Sequence, residues 1–495
     1  MRQSGILMPI FSLPSPYGIG TMGKEAFEFV DFLNKSGQRL WQILPIGPTG
    51  FGDSPYQSAS TFAGNPYFLD IDALIQSNLL TQNEVKSFDF GNDREKIDYA
   101  KIFSRYKLYR LMTPRFFENT PDDYEAFCEK NAFWLEDYAL FCAIKDENEG
   151  RAFSQWEDDL RLRNEKAISQ AKVRLEKDMD FYKMLQYIFF KQYKTLKTYA
   201  NEHGVKIIGD IPIYVSPDSA DLWANPKQFL IDKDLNLKEV AGCPPDDFCE
   251  DGQLWGNPLY DWDYIEKDKF SWWKERIKAA LGVFDIVRID HFRGFESFYC
   301  IKNGSENAKK GVWRKGPGMK LFEAVKKDFG TLPIIAEDLG FLTKEVYELL
   351  EESGFPGMKI LQFAFDGESD SDYLPHNYPK NCVAYTGTHD NDTVVGWFEN
   401  LSAEVKGDVK AYVRASDSEG INWAMIKTVW ASPADTAIVP MADFLAMSSE
   451  GRINAPSTMG NNWEWRVKKE CLNGWLAEII YHFTKVYRRI VKEGE

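Results

Sequence analysis

Val283-Phe-Asp-Ile-Val-Arg-Ile-Asp-His-Phe-Arg-Gly294 is an apolar run that closes on an acid, Asp290, and then breaks into polar residues and glycine. Its core, Phe284–Ile289, reads as a short buried strand. Two other stretches repeat the design: Leu332-Pro-Ile-Ile-Ala-Glu-Asp-Leu-Gly340 ends on Glu337, and Val383-Ala-Tyr-Thr-Gly-Thr-His-Asp-Asn-Asp392 leads to Asp390. Strands of a parallel barrel deliver their C-terminal ends to one rim, so acids distant in sequence can meet there.

Working outward, the remaining strand candidates are Ile6–Ile10, Leu40–Ile46, Val205–Ile213, Met358–Phe365, Cys382–Thr386 and Thr436–Met441. With Phe284–Ile289 and Leu332–Ala336 they make eight runs alternating with helical patterns. That predicts an α/β fold of the closed (β/α)8 (TIM) barrel type. In Lys24–Ser36, Ala26, Phe29, Val30 and Leu33 share one helix face, and Gly37 closes it. Around 475–491, Leu476, Ile479, Phe483, Val486 and Ile490 predict an outer helix packed on the barrel. Residues 1–495 thus read as one catalytic barrel with two large additions. A mainly helical insertion spans 68–200, and an irregular stretch rich in Pro, Asp, Gly and Trp spans 214–272. Long loops of this second kind build substrate grooves at a barrel's active rim.

The formal charge of −16 and the absence of a dense Lys/Arg stripe argue against nucleic acid or an anionic membrane as partner. No apolar stretch is long enough to span a bilayer, and Pro9 and Pro14 interrupt the N-terminal apolar residues. Seven scattered cysteines without a Cys-x-x-Cys suit reduced thiols, hence a cytoplasmic setting.

Several other chemistries can be weighed and set aside. Gly18-Ile-Gly-Thr-Met-Gly23 matches a dinucleotide-binding glycine pattern, but the next strand candidate ends in Leu44-Pro-Ile-Gly47 without the required acid. His389 to Asp392 resembles a metal cluster, yet no second His lies at ligand spacing, and Asp370-Ser-Asp372 lacks the placement of a calcium loop. There is no phosphate-binding Gly-x-x-x-x-Gly-Lys-Ser/Thr and no Gly-x-Ser-x-Gly elbow. No cofactor and no metal are expected.

The acids remain. Arg288 and Asp290 are two apart on a strand and share a face. Either this is an ordinary ion pair, or the guanidinium lowers the acid and keeps it ionised and nucleophilic. Glu337 follows the apolar Pro333-Ile-Ile-Ala336, a setting that raises a carboxyl toward a proton donor. Either Glu337 or Asp338 could instead cap the next helix, with Asp338 the better candidate for that role. Paired carboxylates in one cleft are the machinery of glycosidic-bond cleavage.

Further motifs accompany these acids: Ser15-Pro-Tyr-Gly-Ile-Gly20, Leu40-Trp-Gln-Ile-Leu-Pro-Ile-Gly47, Asp53-Ser-Pro-Tyr-Gln57, Ile208-Gly-Asp-Ile-Pro-Ile213 and Gly252-Gln-Leu-Trp-Gly-Asn-Pro258. With Arg288–Gly294, Ala336–Gly340 and Gly387–Thr393, the chain resembles the 4-α-glucanotransferases over nearly its whole length. These are the amylomaltase or disproportionating-enzyme family related to α-amylases. The resemblance implies Asp290 as nucleophile, Glu337 as general acid/base and Asp390 as stabiliser of the distorted sugar. It implies Arg288, His389 and Asp210 beside them, and Tyr56 and Trp255 stacked on sugar rings. Ser54, Asp246, Phe248, Gln253, His291 and Asn461 would lie close to the glucan. The chain departs from the family at Leu7-Met-Pro-Ile-Phe-Ser-Leu-Pro14, where members commonly carry Leu-His-Pro-Thr-Ser-Leu-Pro; the His has no counterpart here.

The reading that follows is a retaining enzyme moving α-1,4-glucan segments between maltooligosaccharides or longer glucans through a covalent glucosyl-enzyme. An α-amylase-type hydrolase on the same barrel is the alternative, and a non-catalytic glucan-binding protein is a third reading.

Overall fold

The computed structural model describes residues 2–245, 250–340, 342–365, 371–416 and 418–490. Twelve strands are described in chain order: β1 Gln3–Leu7, β2 Leu40–Gln42, β3 Lys206–Ile211, β4 Glu239–Cys243, β5 Gln253–Pro258, β6 Ile286–Ile289, β7 Ser297–Lys302, β8 Gly311–Lys315, β9 Ile334–Ala336, β10 Gly357–Ile360, β11 Cys382–Tyr385 and β12 Thr436–Pro440. Eight of them form one parallel sheet in the order β10-β11-β12-β1-β2-β3-β6-β9. Its two ends, β9 and β10, meet across a seam where Ala336 N–H donates to Pro356 O (2.9 Å). A nearly closed eight-stranded parallel barrel surrounded by helices results, as the alternation of runs predicts.

Each of the eight predicted runs supplies one barrel strand, but the ladders are shorter or displaced. The first strand starts at Gln3, three residues early, and stops at Leu7, because Pro9 has no N–H to pair and Ile10–Ser12 coil into a tight turn. Met8, where the family commonly has His, is buried at the end of this strand. Its carbonyl accepts from Trp41 Nε1 (2.8 Å) and its N–H donates to Gln42 O (2.9 Å). Inside the barrel, buried Tyr385 donates its hydroxyl to Gln42 Oε1 (2.8 Å), tying β11 to β2 across the interior.

Helices cover the outside. The helix Lys24–Lys35 buries Ala26, Phe29, Val30 and Leu33 as its spacing requires, with Gly37 (φ 73°) just past its end. Burying such Phe, Val and Leu side chains contributes roughly 1.5–3 kcal/mol each. The last helix is Gly474–Val486, and its inward face is Leu476, Ala477, Ile480 and Thr484. The predicted stripe is therefore rotated: Ile479 and Phe483 are half-buried and Val486 is exposed. The chain leaves the helix at Val486 and turns, so that Arg489 points inward instead. Its guanidinium donates to the carbonyls of Trp430 (2.9 Å), Gln3 (3.0 Å) and Ala434 (3.1 Å).

Between β2 and β3 the chain is helical, ending in the 27-residue helix Glu176–Glu202, which packs on Ala132–Glu147 and on Lys24–Lys35. The stretch after β3 is more ordered than its irregular sequence predicts. β4 and β5 join β7 and β8 in a separate antiparallel sheet, ordered β5-β4-β7-β8. Gly242 and Gly256 interrupt β4 and β5, which is why no alternation marks them in the sequence.

Candidate active site

The rim at the C-terminal ends of the barrel strands gathers the acids. Asp290 follows β6 and its N–H donates to Ile211 O (3.0 Å); Glu337 follows β9 and its N–H donates to Ile289 O (3.0 Å). These two bonds extend the barrel ladder past the strand ends, so both acids stand on rigid backbone. Asp390 sits four residues after Thr386, on the loop that leaves β11.

Beneath them lies a buried ionic floor. Arg288 Nη1 is 2.6 Å from Asp210 Oδ2 and 3.0 Å from Asp290 Oδ1. The side chains of Arg288 and Asp210 are 3 % and 0 % exposed, whereas Asp290 and Asp390 are 29 % and 44 % exposed. The first pair is structural support, and the second pair reaches the cleft. Burial disfavours charge on Arg288, but Asp210 and Asp290 more than offset this and hold it protonated. Asp210 also accepts from the Tyr56 hydroxyl (2.8 Å), and Asp210 Oδ1 is buried without a protein partner.

Tyr56 has one proton and gives it to Asp210. His389 Nε2, 2.9 Å from the same hydroxyl oxygen, must therefore be the donor in that contact, which fixes its tautomer. Burial lowers the His389 pKa despite the neighbouring Asp390, leaving a neutral imidazole. The two rings stack at 5.3 Å with 13° between planes, and Trp463 tilts against both.

Glu337 is 8 % exposed and accepts two backbone N–H groups, from His291 (2.6 Å) and Leu339 (2.9 Å). His291 adopts a left-handed backbone (φ 51°), a conformation open to few residues besides Gly, Asn, Asp and His. Its ring meets the edge of Trp255 at 4.7 Å, and burial pushes its pKa down to about 3. Burial is also the largest influence on both catalytic candidates, and it raises both. Arg288 pulls each down, Glu337 adds to the rise at Asp290, and the two N–H donors restrain Glu337. The expectation of a raised Glu337 holds in direction. The expectation of a lowered Asp290 does not, because the guanidinium is shared with Asp210 and burial outweighs it.

The other predicted residues are placed as follows. Ser54 Oγ accepts from Tyr56 N–H (3.2 Å), and Gln253 Oε1 accepts from Trp255 Nε1 (3.0 Å). Asn461 is exposed in a left-handed turn (φ 56°). Asp246 and Phe248 lie outside the described residues. Asp338 does not cap a helix. The next one, Lys344–Ser353, starts after Thr343, and Asp338 instead accepts Met358 N–H (2.6 Å) across the barrel seam. Among the described residues no group of three His, Cys, Asp or Glu side chains suits a metal ion. No described helix is long and apolar enough to cross a membrane.

Sequence reasoning missed Trp463, Asn454 and Arg452, on the segment after β12. Asn454 Nδ2 donates to Asp390 Oδ1 (2.6 Å), and Arg452 Nη2 donates to Asp390 O (2.8 Å). The available signal was the run Arg452-Ile-Asn454 before Pro456, polar residues in an extended stretch that follows a barrel strand.

Three acids on one rim of a parallel barrel, over a buried arginine, define an enzyme of the glycosidic-bond-processing class. The family model described as 4-α-glucanotransferase matches residues 8–472, and the chain belongs to that family. It is 51% identical to the 4-α-glucanotransferase of Clostridium butyricum over 485 residues, 97% of this chain and 100% of that one. It is 48% identical to that of Streptococcus pneumoniae TIGR4 over 493 residues, 99% and 98% of the two chains. A solved structure of amylomaltase from Streptococcus agalactiae in complex with acarbose superposes with TM-score 0.96 at 41% identity, covering 99% of this chain and 100% of that one. The activity is transfer of α-1,4-glucan segments, and the hydrolase alternative is not favoured.

Proposed function

We propose that Asp290 is the nucleophile of this transfer, Glu337 its general acid/base and Asp390 the stabiliser of the distorted donor sugar. The observation that carries the reading is the division of labour at the rim. Asp290 and Asp390 are open to the cleft, while Arg288 and Asp210 are locked beneath them. Glu337 is the most enclosed of the three, which suits the group that must keep a proton.

In the first step Glu337 protonates the departing glycosidic oxygen while Asp290 attacks C1. The C1–O bond breaks and a C1–Oδ bond forms. In the second, the acceptor's 4-hydroxyl gives its proton to Glu337 and displaces Asp290, restoring the α-configuration. The pair carries one proton between them, and Arg288, in contact with Asp290 and not with Glu337, favours ionisation of Asp290. Tyr56, itself held by His389, holds Asp210, and the two rings wall the donor sugar. Trp255 and His291 line the opposite side, with Ser54, Gln253 and Asn461 toward the outer glucan units, and Asp246 and Phe248 belong to the same proposed set. Maltooligosaccharides are the proposed donors and acceptors. A cytosolic setting is supported by Cys128, Cys142, Cys300, Cys382 and Cys471, which carry thiols and not disulfides.

The test is to incubate the enzyme with maltotriose alone and resolve products over time. Glucose plus a ladder of longer maltooligosaccharides is expected, with Asp290→Ala reducing turnover by a factor of about 10⁴ or more. Unchanged transfer in that variant would remove Asp290 from the nucleophile's role.

A further inference from the structure

We propose that Asn454, backed by Arg452, is a positioning residue that fixes the plane of the Asp390 carboxylate against the donor sugar. The inference rests on Asp390 being one of the three working acids.

Asp390 stands on a loop with 44 % of its side chain exposed, and the terminal torsion of an aspartate is soft and roughly two-fold. Left alone, the carboxylate would sample many orientations. Asn454 Nδ2 holds Oδ1 at 2.6 Å, while Oδ2 lies 3.4 Å from His389 Nε2. The Nε2–H of His389 is committed to Tyr56, so the bond from Asn454 is the one that anchors the carboxylate and sets its plane. The grip continues along the backbone. Asn454 N–H donates to His389 O (3.1 Å), Arg452 Nη2 donates to Asp390 O (2.8 Å), and Arg452 Nε donates to Asn454 O (2.7 Å). The segment after β12 thus holds both main chain and side chain of the residues that follow β11.

The chemistry of the donor matters. An amide N–H orients a carboxylate through a charge-assisted bond without neutralising it. A lysine in its place would pair with Asp390 and compete with the positive charge that develops on the sugar. Asparagine keeps the full negative charge available for the transition state.

The decisive experiment is a double-mutant cycle between Asn454→Ala and Asp390→Ala, using an aryl α-maltotrioside donor so that slow variants remain measurable. Asn454→Ala is expected to lower kcat about tenfold to hundredfold with KM within about twofold. In the Asp390→Ala background the same change should alter kcat by less than about threefold. Arg452→Met, which leaves the carboxylate's own contact in place, should lower kcat by a smaller factor of about three to ten. An equal loss in both backgrounds, a loss confined to KM, or no loss at all would overturn the proposal. If Asp390→Ala itself keeps wild-type kcat, the role of Asp390 fails instead, so the two failures are distinguishable.

Discussion

Arg288 is where one side chain serves two acids at once. It is closer to Asp210 (2.6 Å) than to Asp290 (3.0 Å), and that sharing is why burial still raises Asp290. The guanidinium nonetheless limits the rise, and a lysine cannot reproduce its fork. Arg288→Lys is expected to move the acid limb of the kcat/KM profile upward by about one pH unit. The sign follows from the role of Asp290. A weaker cation leaves it protonated to higher pH, and a protonated carboxyl is no nucleophile. A pH–rate series on maltotriose checks this, and an acid limb unmoved by the substitution would mean Arg288 does not govern the nucleophile. The sequence exposes the Arg288–Asp290 spacing directly, since residues two apart on a strand share a face. Asp210's claim on the same arginine is invisible in it, because that contact spans 78 residues and depends on β3 pairing with β6.

Among the elements, the seam between β9 and β10 is the least conventional part of the barrel. No ladder joins the two strands, and a side chain does part of the work: Asp338 accepts Met358 N–H at 2.6 Å. Gly357 makes this possible. A Cβ there would meet Asp338 Oδ2 at 2.5 Å and Cγ at 2.8 Å, and the carboxylate could not keep its place. Gly357→Ala is therefore expected to destabilise the fold by about 1–3 kcal/mol. It should also lower kcat at least severalfold, because Glu337 precedes Asp338 directly. Thermal melts and maltotriose turnover on the same preparation test it; an unchanged melt would show that the seam has slack. Asp338 is also an instance of what a sequence conceals. An acid followed by a helix six residues on looks like a cap, and only the register of the closing strand shows otherwise. The existence and order of the eight strands were legible because each is a run of buried apolar residues ending at a Pro, Gly or acid. The β4-β5-β7-β8 sheet was not, since Gly242 and Gly256 interrupt β4 and β5 and β8 is exposed along its whole length. The face of the last helix was misread because nothing in its apolar spacing signals that Arg489 turns inward to collect carbonyls.

At the scale of the whole molecule, three buried acids outside the catalytic trio share one electrostatic condition. Burial pushes Asp221 to about 6, Asp338 to about 7 and Asp443 to about 6, each only partly relieved by hydrogen bonds. Asp443 is the most instructive of them. It accepts Thr386 Oγ1 (2.6 Å) and Val394 N–H (2.8 Å), so it closes both ends of the loop that carries His389 and Asp390. The sign of their contribution runs opposite to that of salt-bridged surface acids. Their folded pKa values lie above the unfolded ones, so between about pH 4 and pH 7 the native state binds more protons than the unfolded state. Stability from this source is lost as pH rises through the folded values. Each acid costs on the order of 2–4 kcal/mol once fully charged, and the formal charge of −16 adds repulsion in the same direction. The thermal midpoint is therefore expected to be higher near pH 5.5 than near pH 8. Asp338→Asn, which cannot ionise, should flatten that dependence while keeping an acceptor for Met358. Calorimetry across the range, at fixed ionic strength, measures both. A midpoint that climbs steadily from pH 5.5 to 8 would mean these acids are charged and well satisfied in the folded state, and that the paired carboxylates of the surface set the pH response instead.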